Sequence, residues 1–288
     1  MRLKRVYKLI LSLVLILLIV IISIILYIKF SNYSKLKNDS VEINNKEPVY
    51  IDHMSEFDIK ESHYIEEFYN RYIEYKKKHS EYTDDEIVTY VNIGLDNPFY
   101  TNMEEVNMGL GYLILCNKYH ELKKDYVPDL VSLDGYGGGK MERVAAEKFK
   151  KMSDAAKKDG INIYNVSGYR SYNTQKDLYN GYVKRNGQTK ADTFSARPGT
   201  SEHQTGLATD INSVSDSFAN TKEYKWLINN SYKYGFILRY PKGKEHITGY
   251  KYEPWHFRYL GEEVAKFIYE KNITFEEYYA NYLLKVKV

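Results

Sequence analysis

Leu9 to Ile28 runs for twenty residues without a charge, interrupted only by the polar Ser12, Ser23 and Tyr27. A helix of that length spans about 30 Å, the thickness of a hydrocarbon layer. Arg2, Lys4, Arg5 and Lys8 precede it, and basic residues so placed stay on the cytoplasmic side. The pattern predicts an uncleaved anchor within residues 1–30, with the bulk of the chain outside the cell. A cleaved signal peptide is the rival reading. The run is long for one, and it continues Tyr27-Ile28-Lys29-Phe30 without a small-residue cleavage site.

Residues 31–56 are rich in Ser, Asn, Lys and Glu and read as a polar stem. In 57–108, Tyr64, Phe68, Tyr72 and Tyr75 recur at helical intervals. A second short helix is expected after Thr83, with Glu86 at the capping-box position and Ile87, Val88 and Val91 on its apolar side. This region reads as a helical spacer or lid. Residues 109–288 alternate between the two periods. Met141 to Lys158 is an amphipathic helix with Val144, Ala145, Phe149, Met152, Ala155 and Ala156 on its apolar side, and Asp159-Gly160 ends it. Ile161 to Val166 alternates like a strand, and a helix follows from Tyr172 to about Lys184. A strand through Leu207 to Ile211 directs Asp210 and Ala208 to one side. Lys222 to Tyr234 is a helix that Gly235 ends. Phe236 to Tyr240 and Tyr250 to Tyr259 are strands, and a last helix carries Val264, Phe267 and Ile268. The predicted fold is α+β: a small, mainly antiparallel sheet with packed helices, preceded by a transmembrane helix and a helical spacer.

The 288 residues include 43% hydrophobic positions, enough for most of the chain to fold. Lys and Arg number 41 against 38 acidic residues, a net charge of +3 that gives no case for nucleic acid. Cys116 is the only cysteine, which excludes an intramolecular disulfide framework and a cysteine-rich metal cluster. Gly135 and Gly137 to Gly139 surround Tyr136 but lack the spacing of a phosphate loop.

The candidate chemistry lies in Ser201-Glu-His203-Gln-Thr-Gly206-Leu-Ala-Thr-Asp210 and Glu253-Pro-Trp-His256-Phe-Arg258. His203 and Asp210 are seven apart, and Gly206 permits a tight path that turns both toward one point. A third ligand is needed, and His256 is the best candidate. His246 is nearer but sits in the turn-like Lys242 to Gly249, while His53, His63 and His79 are scattered singly. A His₂Asp set leaves a fourth position for water, as hydrolytic zinc enzymes require. Glu253 has the chemistry to take a proton from that water, and Pro254 argues for an extended or bulged segment there. The bland reading makes Glu253, His256 and Arg258 an ordinary charged strand edge. Arg170 follows a strand end, where a charge is as often solvated as presented to a site.

Three blocks, Ser167-Gly-Tyr-Arg170-Ser with Gln175, Ser201 to Asp210, and Glu253 to Arg258, agree in order with a family pattern. The chain resembles the zinc D-alanyl-D-alanine carboxypeptidases of the vancomycin-resistance type and their L,D-carboxypeptidase relatives, over roughly Leu110 to Gly261. The resemblance implies a hedgehog/D-Ala-D-Ala-peptidase-like fold and one zinc ion on His203, Asp210 and His256. It implies Glu253 as general base and then acid, and Arg170 meeting the carbonyl or carboxylate of the substrate. Gln175 and Ser201 would line the terminal-residue pocket. The implied reaction removes the C-terminal D-alanine from peptidoglycan stem peptides. The alternatives are an L,D-carboxypeptidase acting on tetrapeptide stems, an endopeptidase cleaving cross-links, and a catalytically weak cell-wall binding protein. The expected partners are the stem peptides and, through the N-terminal helix, the cytoplasmic membrane. The expected localisation is a single-pass membrane protein with its catalytic domain extracytoplasmic.

Overall fold

Thr83 begins a helix as its sequence context requires: its side chain accepts from the Glu86 amide, and the Glu86 carboxylate accepts from the Thr83 amide. The computed structural model that shows this describes residues 57–60 and 63–284. In it α1 spans Tyr69–Lys78 and α2 spans Asp84–Asn92. Two short parallel strands follow, β1 (Glu104–Glu105) and β2 (His120–Glu121), and then an antiparallel pair, β3 (Leu130–Ser132) and β4 (Lys140–Glu142). The amphipathic helix α3 covers Arg143–Lys158. Strand β5 (Asn165–Ser167) leads to α4 (Tyr172–Asn186), which Ser171 caps, and to the short α5 (Gln188–Ala191). The remaining elements are β6 (Ala208–Ile211), α6 (Lys222–Asn230), β7 (Phe236–Leu238), α7 (Glu245–Thr248), β8 (His256–Tyr259), α8 (Glu262–Lys271) and α9 (Phe275–Tyr278).

The central sheet runs β5-β6-β8-β7, antiparallel throughout. Its register sets the chemistry. Asp210 lies opposite His256 and Ala208 opposite Arg258, so the alternation of a pleated strand sends these four to one face. Leu207, Ile211, Phe257 and Tyr259 go to the other, where they form the main core with Phe149 and Met152 of α3. The rings of Phe149 and Phe236 meet edge to face at 6.3 Å. A further apolar cluster lies behind β7, where Ile237 packs with Leu260, Ala265, Ile268 and Phe275.

The helices before the sheet are not a spacer. Tyr72, Ile87, Val88 and Val91 are buried in one cluster that also takes in Ile247 and Ala280, more than 150 residues downstream. Thr89 Oγ1 donates to Asn281 Oδ1 at 3.2 Å. The apolar sides that predicted helices are thus the sides that join them to the rest of the unit. At roughly 1.5–3 kcal/mol per buried aliphatic side chain, that contact outweighs any tendency to swing free.

The expectation of a membrane element is also corrected. Among the described residues no helix is long and apolar enough to cross a membrane. The longest, α3, has 16 residues and is lined with lysines. The described fold is therefore α+β without a transmembrane helix. Nothing among the described residues supports the expected partnership with the cytoplasmic membrane or the expected single-pass localisation with an extracytoplasmic domain. The charge-free run 9–28 that prompted those expectations lies outside the described residues, as does the polar stem.

Candidate active site

Asp210 and His256 come together because they are cross-strand neighbours on the polar face of β6 and β8. His203 reaches them from the single turn Glu202–Thr205 that precedes β6. Gly206 ends that turn in the left-handed region, at φ 70°. A Cβ there would stand 2.9 Å from the Glu142 amide nitrogen and 3.0 Å from Pro128 Cγ, so the close approach needs glycine. One ligand-type atom from each of His203, Asp210 and His256 falls within 4.8 Å of the others, and all three residues are buried. His203 Nε2 is 3.4 Å from Asp210 Oδ2, and His256 Nδ1 is 3.5 Å from Asp210 Oδ1.

These residues fit a zinc ion. Two nitrogens and a carboxylate are a donor set zinc takes. Asp210 Oδ1 is buried with no hydrogen-bond partner, a cost that a cation would remove. The backbone carbonyl of Gly168 lies 2.7 Å from His203 Nδ1, so the ring donates there and turns the lone pair of Nε2 toward Asp210. Burial pushes the His203 imidazole below its ordinary pKa, overcoming the pull of Asp210, which favours the neutral form that can ligate. Burial would raise the Asp210 carboxyl, but His203, His256 and Arg170 hold it below the usual range. For His256, burial is outweighed by the Glu202 and Glu253 carboxylates, which lift it to about 9. A cation at its Nδ1 must therefore displace a proton.

Glu253 and His256 are joined by a turn through Pro254 and Trp255, closed by the His256 amide donating to the Glu253 carbonyl at 3.2 Å. The extended or bulged segment expected at Pro254 is thus a tight turn, and both side chains line one cleft. Burial raises the Glu253 carboxyl above its ordinary value, against the pull of His256. Arg170 stands just past β5, with Nη1 donating to Gln175 Oε1 at 2.7 Å and Nη2 to Ser167 Oγ at 2.9 Å. Nη2 is also 3.8 Å from Asp210 Oδ2. Gln175 Nε2 donates to the Ala196 carbonyl at 2.7 Å. The glutamine amide therefore bridges Arg170 to the 195–196 loop as well as lining the cleft. Ser201 lines the same cleft, whose volume is about 310 Å³. His246 lies elsewhere, against the rings of Tyr82 and Tyr90.

Sequence reasoning missed the charges behind His256. Glu202 is fully buried, and its Oε1 accepts from Arg239 Nε and Arg258 Nη1, each at 2.8 Å. Arg239 continues to Glu276 on α9 with bonds of 2.8 and 2.5 Å. Two arginines set among the apolar positions of β8 and the end of β7 were the available signal, because a buried guanidinium needs a carboxylate partner.

A family model described as VanY, D-alanyl-D-alanine carboxypeptidase, matches residues 138–262. The chain is 44% identical over 191 residues to YodJ of Bacillus subtilis (strain 168), a carboxypeptidase by name, covering 62% of this chain and 70% of YodJ. Among solved structures it is similar to the LdcB LD-carboxypeptidase, with TM-score 0.59 and 42% identity over 64% of this chain and 94% of that one. It is also similar to a mutant of the vancomycin-resistance D,D-pentapeptidase VanY in complex with Zn(II). There the TM-score is 0.52 and the identity 38%, over 58% of this chain and 98% of that one.

Proposed function

The chain belongs to the VanY family of D-alanyl-D-alanine carboxypeptidases, and on that premise we propose that it releases the C-terminal D-alanine of peptidoglycan stem peptides with the help of one zinc ion. The observation that carries this reading is the cross-strand pairing of Asp210 with His256, which sets both beside His203, Glu253 and Arg170 in one buried cleft.

Zinc, when bound by His203, Asp210 and His256, supplies Lewis-acid polarisation of the scissile carbonyl and lowers the pKa of water. Glu253 takes the proton of the attacking water. It then returns that proton to the departing amine as the C–N bond breaks, leaving free D-alanine and a shortened peptide. Its burial suits both roles, since a carboxyl raised above its ordinary value holds a proton more readily than an exposed one. Arg170, kept in place by Gln175 and Ser167, offers its guanidinium to the substrate's terminal carboxylate or to the developing oxyanion. Ser201 and Gln175 line the pocket for the terminal residue.

The L,D alternative draws on the likeness to the LdcB LD-carboxypeptidase. Both activities remove a terminal D-alanine and differ in the residue on the other side of the bond. Incubating the protein with defined penta- and tetrapeptide stems and weighing the products separates them. Loss of one alanine from the pentapeptide is expected. Cleavage of the tetrapeptide alone sinks the D,D reading, and cleavage of neither leaves a wall-binding protein.

A further inference from the structure

His256 is held on two sides. Its Nδ1 faces Asp210 Oδ1 and Glu253 Oε2, each at 3.5 Å. Its Nε2 faces Glu202 Oε2 at 3.6 Å. Both atoms of this second pair are buried and lack any hydrogen bond, although only 3.6 Å separates them. The other oxygen of Glu202 is gripped by Arg239 and Arg258. Arg258 is itself tied to the carbonyls of Tyr112 and Ile114 at 2.9 and 2.8 Å. The carboxylate therefore cannot turn away. The imidazole is confined too, with the His203 ring at 4.9 Å and the Tyr240 ring at 4.8 Å.

The geometry points to Glu202 as a positioning residue for the metal site: its Oε2 accepts the Nε2 proton of His256, fixing the tautomer that leaves Nδ1 free to ligate. A ligating histidine commonly donates its second ring nitrogen to a carboxylate or a carbonyl, which fixes the ring and raises its basicity. His203 uses the carbonyl of Gly168, and Glu202 provides the carboxylate for His256. The charges also require it. Glu202 and Glu276 balance Arg239 and Arg258, so without Glu202 a net positive charge would lie behind a cation site. Glu202 is buried at the back of the cleft, and its role runs through His256.

The Glu202→Gln variant inverts this contact. An amide that keeps its oxygen on the two arginines turns its NH₂ toward His256 Nε2. That nitrogen must then accept, and the proton moves to Nδ1, where it blocks ligation.

The inference rests on the metal reading of the site, and zinc affinity separates the two. Metal-stripped full-length protein is titrated with zinc against a chromophoric chelator. Glu202→Gln is expected to weaken zinc binding about 10- to 100-fold and to change the visible spectrum of the cobalt(II)-loaded protein. Glu276→Gln disturbs Arg239 from its far side but leaves the contact between Glu202 and His256. It should lower stability while keeping zinc affinity within about 3-fold of the parent, below the loss expected of a residue that orients a ligand. Equal losses in both variants, or an unchanged affinity in Glu202→Gln, overturn the positioning role. A parent that binds no zinc overturns the metal reading itself. Should Glu202→Gln fail to fold, long-range ¹H–¹⁵N spectra of the zinc-loaded parent decide. A proton on His256 Nε2 supports the assignment, and a proton on Nδ1 sinks it.

Discussion

Glu253 Oε2 lies 3.5 Å from Nδ1 of His256, with both residues held on one side of the cleft by the turn at Pro254 and Trp255. The proposed base and the proposed metal ligand thus share a turn, which keeps their separation fixed while substrate enters. Replacing Glu253 with Gln preserves the shape and removes the proposed base. Turnover of stem peptides should fall by roughly 10²- to 10⁴-fold, while bound zinc, measured by elemental analysis, stays at the parent level. Retained turnover would show that the proton goes elsewhere.

Metal removal gives a complementary expectation. Chelation should abolish hydrolysis, and added zinc should restore it. Because a ligand that binds only the folded state stabilises it, the chelated protein should also melt earlier. A melting curve indifferent to chelator would count against a resident ion.

Arg170 donates to Gln175 and Ser167 with two separate guanidinium nitrogens, an arrangement a lysine cannot reproduce. Arg170→Lys keeps the charge and loses the fork. At about 1.5–3 kcal/mol for a charged hydrogen bond, kcat/KM should drop by about 10- to 100-fold. Steady-state kinetics on the preferred stem peptide test this, and an unchanged value would remove Arg170 from recognition.

Ile87 is fully buried in the cluster that ties α2 to Ile247 and Ala280. Ile87→Ala should cost about 2–5 kcal/mol. In urea, followed by intrinsic fluorescence, the main unfolding transition should move as a whole. A separate early transition with the main one unmoved would restore the idea of an independent spacer.

His120 is pushed down to about 4 by burial, from an ordinary value of 6.5, and its Nδ1 sits 3.0 Å from Asn117 Oδ1. The unfolded chain then binds a proton that the folded chain refuses. The corresponding stability is fully present above pH 6.5 and is lost as pH falls toward 4. It amounts to about 3 kcal/mol at most. Urea denaturation across that range should show a shallower acid decline in His120→Gln than in the parent, and parallel curves would clear His120 of the effect.

Periodicity made most of the fold legible. The helix at Arg143–Lys158, the capping box at Thr83 and the strand at Ala208–Ile211 follow from local patterns that tertiary packing does not oppose. The candidate site was legible in part because His203 and Asp210 share one short segment, and because a glycine between them announces a reversal. What sequence could not give was partnership at long range. Nothing near Arg239 says that its carboxylates sit at Glu202 and Glu276, each 37 residues away in opposite directions. The same blindness made α1 and α2 look like a spacer: an amphipathic face states that it will be covered, but not by what.

The buried run Glu202–Arg239–Glu276, with Arg258 on Glu202, draws on four distant segments of chain. None of these charges can leave water until its counterpart arrives. A chain in which α9 has not docked leaves Arg239 with Glu202 as its one carboxylate partner in this run, while Glu202 keeps Arg258 as well. The run thus works as a clasp on α9: the helix cannot peel away without leaving Arg239 a buried cation that has lost one of its two carboxylates.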